Sequence, residues 1–349
     1  MGIIDIGFYP HPDLMFPRRR IKAYADAARD VPLASDFFTP QPFSWHGTMT
    51  ACCAAGNGYL SGGRYRALAS EADVVLIKAG IDDGRIVGKN VAHAIRLPLR
   101  FPHLNIRILN VSLQTYANDP DMAEVEKAVH EVTQAGVAVF AAAGNTAGVL
   151  PGPPASAVEA ITVGGQRLSG PGGTDDEAVW PSSYGSKKPG VQKPDLLAPA
   201  IWVPAPMLPG TLTAREAAPL FQLLSVLEEA SAEYSFSETR QTATPEERAS
   251  VAALIEAVGT RIVRSKYISS DYQHVDGTSF ASPIVASVAA QMLEANPALS
   301  PAQLREGLIS TASPIADVPR EVQGAGLLRP RRAVEWALSQ MPGHAKRAT

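Results

Sequence analysis

Short apolar runs rich in β-branched residues, each followed by a helical stretch, recur through the first half of the chain and leave few folds open to it. Asp73 to Ala79 (DVVLIKA), Asn105 to Leu113 (NIRILNVSL), Gly136 to Ala143 (GVAVFAAA) and Ala160 to Gly165 (AITVGG) each read as a buried strand, and Gly2-Ile3-Ile4-Asp5 as a shorter one. Near-continuous apolar runs mark strands covered on both faces, as in parallel sheets. Helical stretches lie between them: Ile86 to Leu97, then a segment from Asp119-Pro120-Asp121 to about Gln134, ended by Gly136. The alternation predicts an α/β fold, a three-layer, mostly parallel twisted sheet with helices on both faces.

Open α/β sheets gather their ligands beyond the carboxyl ends of the strands. Asp5 ends the first strand, and Gly144-Asn145 follow the run that ends at Ala143. Residues 44 to 55 (SWHGTMTACCAA) read as a loop entering a helix, with His46-Gly47-Thr48 at the helix start. Asp276 to Pro283 (DGTSFASP) forms a turn into an apolar helix, Ala281 to Leu293, with Pro283 in the first turn, where a missing N–H costs nothing. Ser279 is then at a helix N-terminus, where free N–H groups and the dipole favour developing negative charge. Each residue also has a plain structural reading: a helix cap for Ser279, a turn aspartate for Asp5, a structural histidine for His46. Together they offer a chemistry. A serine hydroxyl needs a base, an imidazole titrating near neutrality can serve, and a buried carboxylate fixes the imidazole tautomer. The Asn145 amide is a candidate donor to an oxyanion.

These stretches resemble the subtilisin-like serine proteases. The resemblance rests on Ile4-Asp5-Ile6-Gly7 with His11-Pro12-Asp13-Leu14, on His46-Gly47-Thr48, on Ala142-Ala143-Gly144-Asn145, and on Gly277 to Pro283. Asn110 to Leu113, Pro154-Ala155 through Gly164, Lys193 through Pro199 and Gly324 to Leu328 follow the family in order. It implies a subtilisin-like fold and a serine endopeptidase that cleaves polypeptides through an acyl-enzyme. Asp5 would orient, His46 act as general base and Ser279 as nucleophile, with Asn145 and the Ser279 N–H as oxyanion donors. The substrate would lie extended on Ser112, Leu113 and Gln114 and near Asp83-Gly84-Arg85, with Ala142, Ala143 and Gly144 lining the first specificity pocket. A catalytically silent, subtilisin-like peptide-binding domain is the alternative. A nucleotide-binding domain would need a G-x-G-x-x-G at its first strand–helix turn, which is missing here.

The chain departs from the family at several points. Gln114 stands where a glycine is usual, which implies a narrower or more polar pocket, and Ala200 replaces a glycine. Thr50 holds the position where thiol-dependent relatives carry cysteine, so Cys52 and Cys53 are read as packing residues. No cofactor is required; calcium is the one metal the resemblance brings in, at Asp13 and the Asn57-Gly58 loop. The family's upstream segment and pro-domain have no counterpart before Asp5. Without a signal peptide or disulfide framework the chain reads as cytoplasmic, or as secreted if an upstream segment belongs to it. Asp82 and Asp83 are read as a solvated turn in preference to a dock for basic residues.

The whole chain, 1–349, reads as one peptidase domain with a helical hairpin inserted at about 204–268. Residues 213 to 234 and 244 to 264 have helical periodicity, and Thr244-Pro245-Glu246-Glu247 carries a helix-start signature. Residues 166 to 204 read mostly as loop; helices at Pro301 to Thr311 and Arg331 to Met341 finish the chain. The hairpin could gate substrates, dock a protein partner or merely decorate the surface. A composition of 46% hydrophobic and 19% charged residues suits a globular protein with a sizeable core. A net charge of -3, with no basic run longer than Arg18-Arg19-Arg20, offers nothing to nucleic acid, and no apolar run is long enough to span a membrane.

Overall fold

The computed structural model describes residues 1–27, 29, 37–81, 83–115, 120–167, 178–236 and 244–341, with 233–236 as backbone alone. It divides into two compact units, Met1–Val203 with Val275–Thr349, and Pro204–His274.

The first unit is built on a sheet of β1 (Gly2–Asp5), β2 (Ile21–Asp26), β3 (Val74–Lys78), β4 (Ile108–Val111), β5 (Ala138–Ala142), β6 (Ile161–Arg167), β7 (Ala178–Val179) and β8 (Leu196–Pro199). Their order is β2-β3-β1-β4-β5-β6-β7, with β8 also on β6, and every pairing is parallel except β6 with β7. Side chains alternate between the two faces of a strand. Ile4, Ile77, Leu109 and Val139 accordingly point to one face, under α2 (Gly88–Ile95) and α3 (Met122–Gln134). Ile3 and Leu76 point to the other, under α1 (Ser44–Ala55). Ile108, Phe140 and Val163 pack there with the helix Thr278–Ala295. Gly47 lets α1 sit directly on the end of β1, since a Cβ there would stand 2.1 Å from Gly7 O and 2.8 Å from Asp5 Cβ.

The second unit holds α4 (Leu212–Phe236) and α5 (Pro245–Arg264), with β9 (Val203–Pro206) and β10 (Tyr272–Val275) paired as a two-stranded sheet where the chain passes in and out. Ala217 on α4 and Val258 and Ile262 on α5 share a small core with Met207 and Tyr267. Glu216 binds Arg261 and accepts from the Tyr267 hydroxyl. Thr244 and Glu247 cap α5 reciprocally, as the helix-start signature requires. The remaining long helices are α6 (Thr278–Ala295), α7 (Pro301–Thr311) and α8 (Pro330–Ser339). Among the described residues no helix is long and apolar enough to cross a membrane.

Some expectations need correction. α6 begins at Thr278, not at Ala281, so Pro283 lies inside the helix and removes one internal hydrogen bond. β2 has no counterpart in the sequence reading, because it is an edge strand whose partly exposed side chains break the apolar run. The stretch 166–204 contains the end of β6, β7, β8 and part of β9 as well as loop. The strand read from Asn105 begins only at Ile108, because Asn105 takes a left-handed conformation at φ 46°. Asp82 and Asp119 lie outside the described residues.

Candidate active site

Because β1, β4 and β5 are parallel neighbours, their carboxyl ends lie side by side. Asp5 is the last residue of β1, Ser112 to Gln114 follow β4, and Ala143 to Asn145 follow β5. α1 and α6 present His46 and Ser279 from their first turns. A cleft of about 310 Å³ is lined by Asp5, His46, Ser112, Leu113, Gln114, Ala142, Gly144, Asn145 and Ser279, together with Ile6, Trp45, Ile86 and Thr278. Of the expected site residues, Ala143 is absent from that lining, being fully buried with its carbonyl accepting from Gln114, and Asp83, Gly84 and Arg85 are absent as well.

The Asp5 carboxylate is fully buried and fully engaged. Oδ1 accepts from the Ile6 N–H and meets His46 Nδ1 at 2.8 Å, and Oδ2 accepts from the Thr50 hydroxyl at 2.9 Å. A carboxylate on Nδ1 calls for the proton there, leaving the Nε2 lone pair free. Burial by itself would lower the His46 pKa; the charge of Asp5 and its hydrogen bond outweigh this, and the net shift is upward. The Trp45 ring stands edge-on to the imidazole, and Phe280 lies on another side of it.

Ser279 is tied to the end of β4. Its hydroxyl donates to Ser112 O at 3.2 Å, not to His46. A buried relay runs behind it: Ser282 Oγ donates to Asn110 Oδ1, Asn110 Nδ2 donates to Ser112 Oγ, and Ser112 Oγ donates to Ser279 O. The Ser279 N–H is one of the leading amides of α6, which have no partner within the helix.

Asn145 Oδ1 accepts from the Thr278 N–H at 2.9 Å, the Thr278 hydroxyl at 3.2 Å and the Trp180 indole N–H at 3.0 Å. These donors require the carbonyl end of the amide to face them, so Nδ2 faces the other way. Gly277, at φ 127°, has no side chain to crowd that amide: a Cβ there would stand 3.3 Å from Nδ2. Asp83 is occupied by Arg85, which donates through both backbone and side chain, as a solvated turn would be.

Thr50, Thr278, Trp180, Asn110 and Ser282 were not anticipated as parts of the site. Asn110 and Ser282 left a trace, as polar residues inside apolar runs that must find partners when buried. Trp180 left none.

The oxygens around Asp13 do not fit a calcium ion. The Asp13, Ala55 and Ala72 carbonyls all accept from the buried Arg20 guanidinium. Asp13 Oδ1 accepts from the Leu60 N–H, and Asn57 Oδ1 from the Tyr59 N–H. A hard divalent cation needs six to eight free oxygens, and here a guanidinium already supplies the positive charge. His11 and Cys52 stand near Asp13, all three buried, and burial ahead of the charge of Asp13 pushes the Cys52 thiol well up.

Residues 1–330 match the Peptidase_S8 family, described as the subtilase family. The serine protease AprX of Bacillus subtilis (strain 168) is 26% identical over 351 residues, spanning 96% of this chain and 65% of its own length. The chain therefore spans just under two thirds of that relative. Among solved structures, the prenylagaramide maturation protease PagA superposes with a TM-score of 0.60 at 17% identity, over 97% of this chain and 93% of that one. Fervidolysin from Fervidobacterium pennivorans, a keratinolytic enzyme related to subtilisin, gives 0.64 at 20% identity, over 96% of this chain and 42% of that one. The α/β fold with its parallel sheet and the match across 1–330 agree, and the chain belongs to the subtilase family.

Proposed function

We propose that the chain is a serine endopeptidase that cleaves polypeptides through an acyl-enzyme, with Asp5, His46 and Ser279 as its triad. The observation that carries this reading is the 2.8 Å contact of His46 Nδ1 with a buried, fully hydrogen-bonded Asp5, in the same cleft as Ser279 and Asn145. For catalysis the Ser279 hydroxyl must leave Ser112 O for His46, which lines the same cleft, a step of the kind that substrate binding completes in resting sites.

In the reaction, Ser279 Oγ attacks the scissile carbonyl carbon and its proton passes to His46 Nε2. Asp5 stabilises the imidazolium and stays ionised. The oxyanion accepts from Asn145 Nδ2 and the Ser279 N–H. The carbon–nitrogen bond then breaks, and His46 hands the proton to the departing amine. Water, deprotonated by His46, repeats the sequence on the ester and frees Ser279. The peptide lies extended along Ser112 to Gln114.

A binding domain without catalysis is the competing reading, favoured by the resting hydrogen bond of Ser279 to Ser112 O. Digestion of an unfolded protein substrate, followed by mass spectrometry, separates the two. Cleavage products formed by the full chain and lost in Ser279→Ala support the peptidase. Intact substrate that stays bound to both proteins supports the binding domain.

A further inference from the structure

Gln114 occupies the floor of the cleft in a way the peptidase chemistry does not call for. Ser112 to Gln114 and Ala143 to Asn145 leave adjacent strands and run side by side into the cleft. A carbonyl carbon held between Ser279 Oγ and the Asn145 amide lies over these two segments. The substrate side chain beside that carbonyl must therefore enter whatever space separates them.

That space is filled by the Gln114 side chain. Nε2 donates to Ala142 O at 3.1 Å and to Ala143 O at 2.7 Å, reaching from one segment to the other. Two carbonyl acceptors require the NH₂ end of the amide at that position, which fixes its orientation. Both ends of the carboxamide stand close to Gly144: a Cβ on that glycine would be 3.0 Å from Oε1 and 3.1 Å from Nε2. Ser183 Oγ closes the same point from another side, 2.7 Å from that Cβ position.

We infer that Gln114 is a specificity-determining residue, which fills the slot facing the scissile carbonyl and restricts the substrate residue on the acyl side to glycine, alanine or serine. The inference rests on the peptidase reading above. A larger side chain must expel the carboxamide, break both of its hydrogen bonds and leave the two carbonyls without that donor. A methyl or hydroxymethyl group needs no such displacement.

The test compares two peptide p-nitroanilides that differ only in alanine or phenylalanine before the scissile bond. The full chain, Gln114→Gly and Gln114→Ala are assayed by kcat/KM, and reaction of Ser279 with a fluorophosphonate reports a folded site. The full chain is expected to favour the alanine peptide by roughly tenfold or more. Each variant that labels is expected to raise the phenylalanine-to-alanine ratio by roughly tenfold or more. A full chain that prefers phenylalanine, or labelled variants with an unchanged ratio, would overturn the inference and leave the peptidase reading intact. A full chain that neither labels nor cleaves either peptide would remove that reading, and this inference with it.

Discussion

Ser112 and Ser279 exchange hydrogen bonds: the Ser112 hydroxyl donates to Ser279 O at 2.7 Å, and the Ser279 hydroxyl donates to Ser112 O at 3.2 Å. The first of these has a cause within the helix. In α6 the Ser279 carbonyl would ordinarily accept from residue 283, which is proline and has no N–H. Ser112 supplies the missing donor and so fixes the first turn of α6 to the end of β4.

Ser112→Ala is expected to lower stability by about 1–3 kcal/mol, the cost of leaving a buried acceptor without a donor. In Ser112→Ala/Pro283→Ala the restored helix N–H recovers part of that loss. Chemical denaturation of both single variants and the double variant measures the coupling, and strictly additive effects would refute the account.

Under the proposed mechanism, the upward shift of His46 is expected to set the pH dependence of cleavage. The imidazole must be neutral to act as a base, so activity rises with pH and the acid limb of kcat/KM lies above the ordinary histidine value of 6.5. Asp5→Asn removes the charge that raises the pKa. It is expected to move that limb to lower pH and to cut kcat by about 10⁴. The stability linkage has the opposite sense. A raised pKa stabilises the fold fully below 6.5, and that contribution is lost as pH rises through the folded-state value. A limb at or below 6.5 in the full chain would contradict the Asp5–His46 coupling.

Asn145 is held by its carbonyl oxygen so that its N–H bonds are available. Asn145→Ala is expected to lower kcat by about 10²–10³ with little change in KM. Trp180→Phe removes one of the donors that orient the amide. It is expected to cost less than about tenfold, again in kcat, as a positioning residue should. A Trp180→Phe effect confined to KM would indicate a packing role.

The Arg20 guanidinium, among the carbonyls of Asp13, Ala55 and Ala72, makes a metal there unnecessary. Chelation with EDTA is expected to leave the thermal midpoint and the rate unchanged. Arg20→Leu is expected to cost at least about 3 kcal/mol, because several buried acceptors lose their partner together. A midpoint that falls on chelation and returns with calcium would overturn this reading.

Much of the fold could be read from local pattern. Strands buried on both faces, such as Val74–Lys78 and Ala138–Ala142, show as unbroken apolar runs, and Thr244 with Glu247 marks the start of α5. β2 escaped because an edge strand lacks that run. Asp5, His46, Asn145 and Ser279 could be marked as candidates because each is a polar residue at a strand or helix end, the family resemblance joined them, and all four line one cleft. Trp180 was not, because its contact with Asn145 is made by the fold and not by spacing. Gln114 stood out as an unexpected residue, yet its reach across to Ala142 and Ala143 is set by the pairing of β4 with β5 and not by spacing. The hairpin of α4 and α5 was legible as structure, while nothing in its periodicity speaks of what it contacts.

In the proposed mechanism Ser279 is a nucleophile activated by His46. Intact-mass analysis after exposure to a fluorophosphonate tests it most directly. One covalent adduct on Ser279 is expected in the full chain, none in Ser279→Ala, and adduct formation slowed by about 10³-fold or more in His46→Ala. A folded full chain that takes no adduct, or a His46→Ala variant labelled as fast as the full chain, would contradict it.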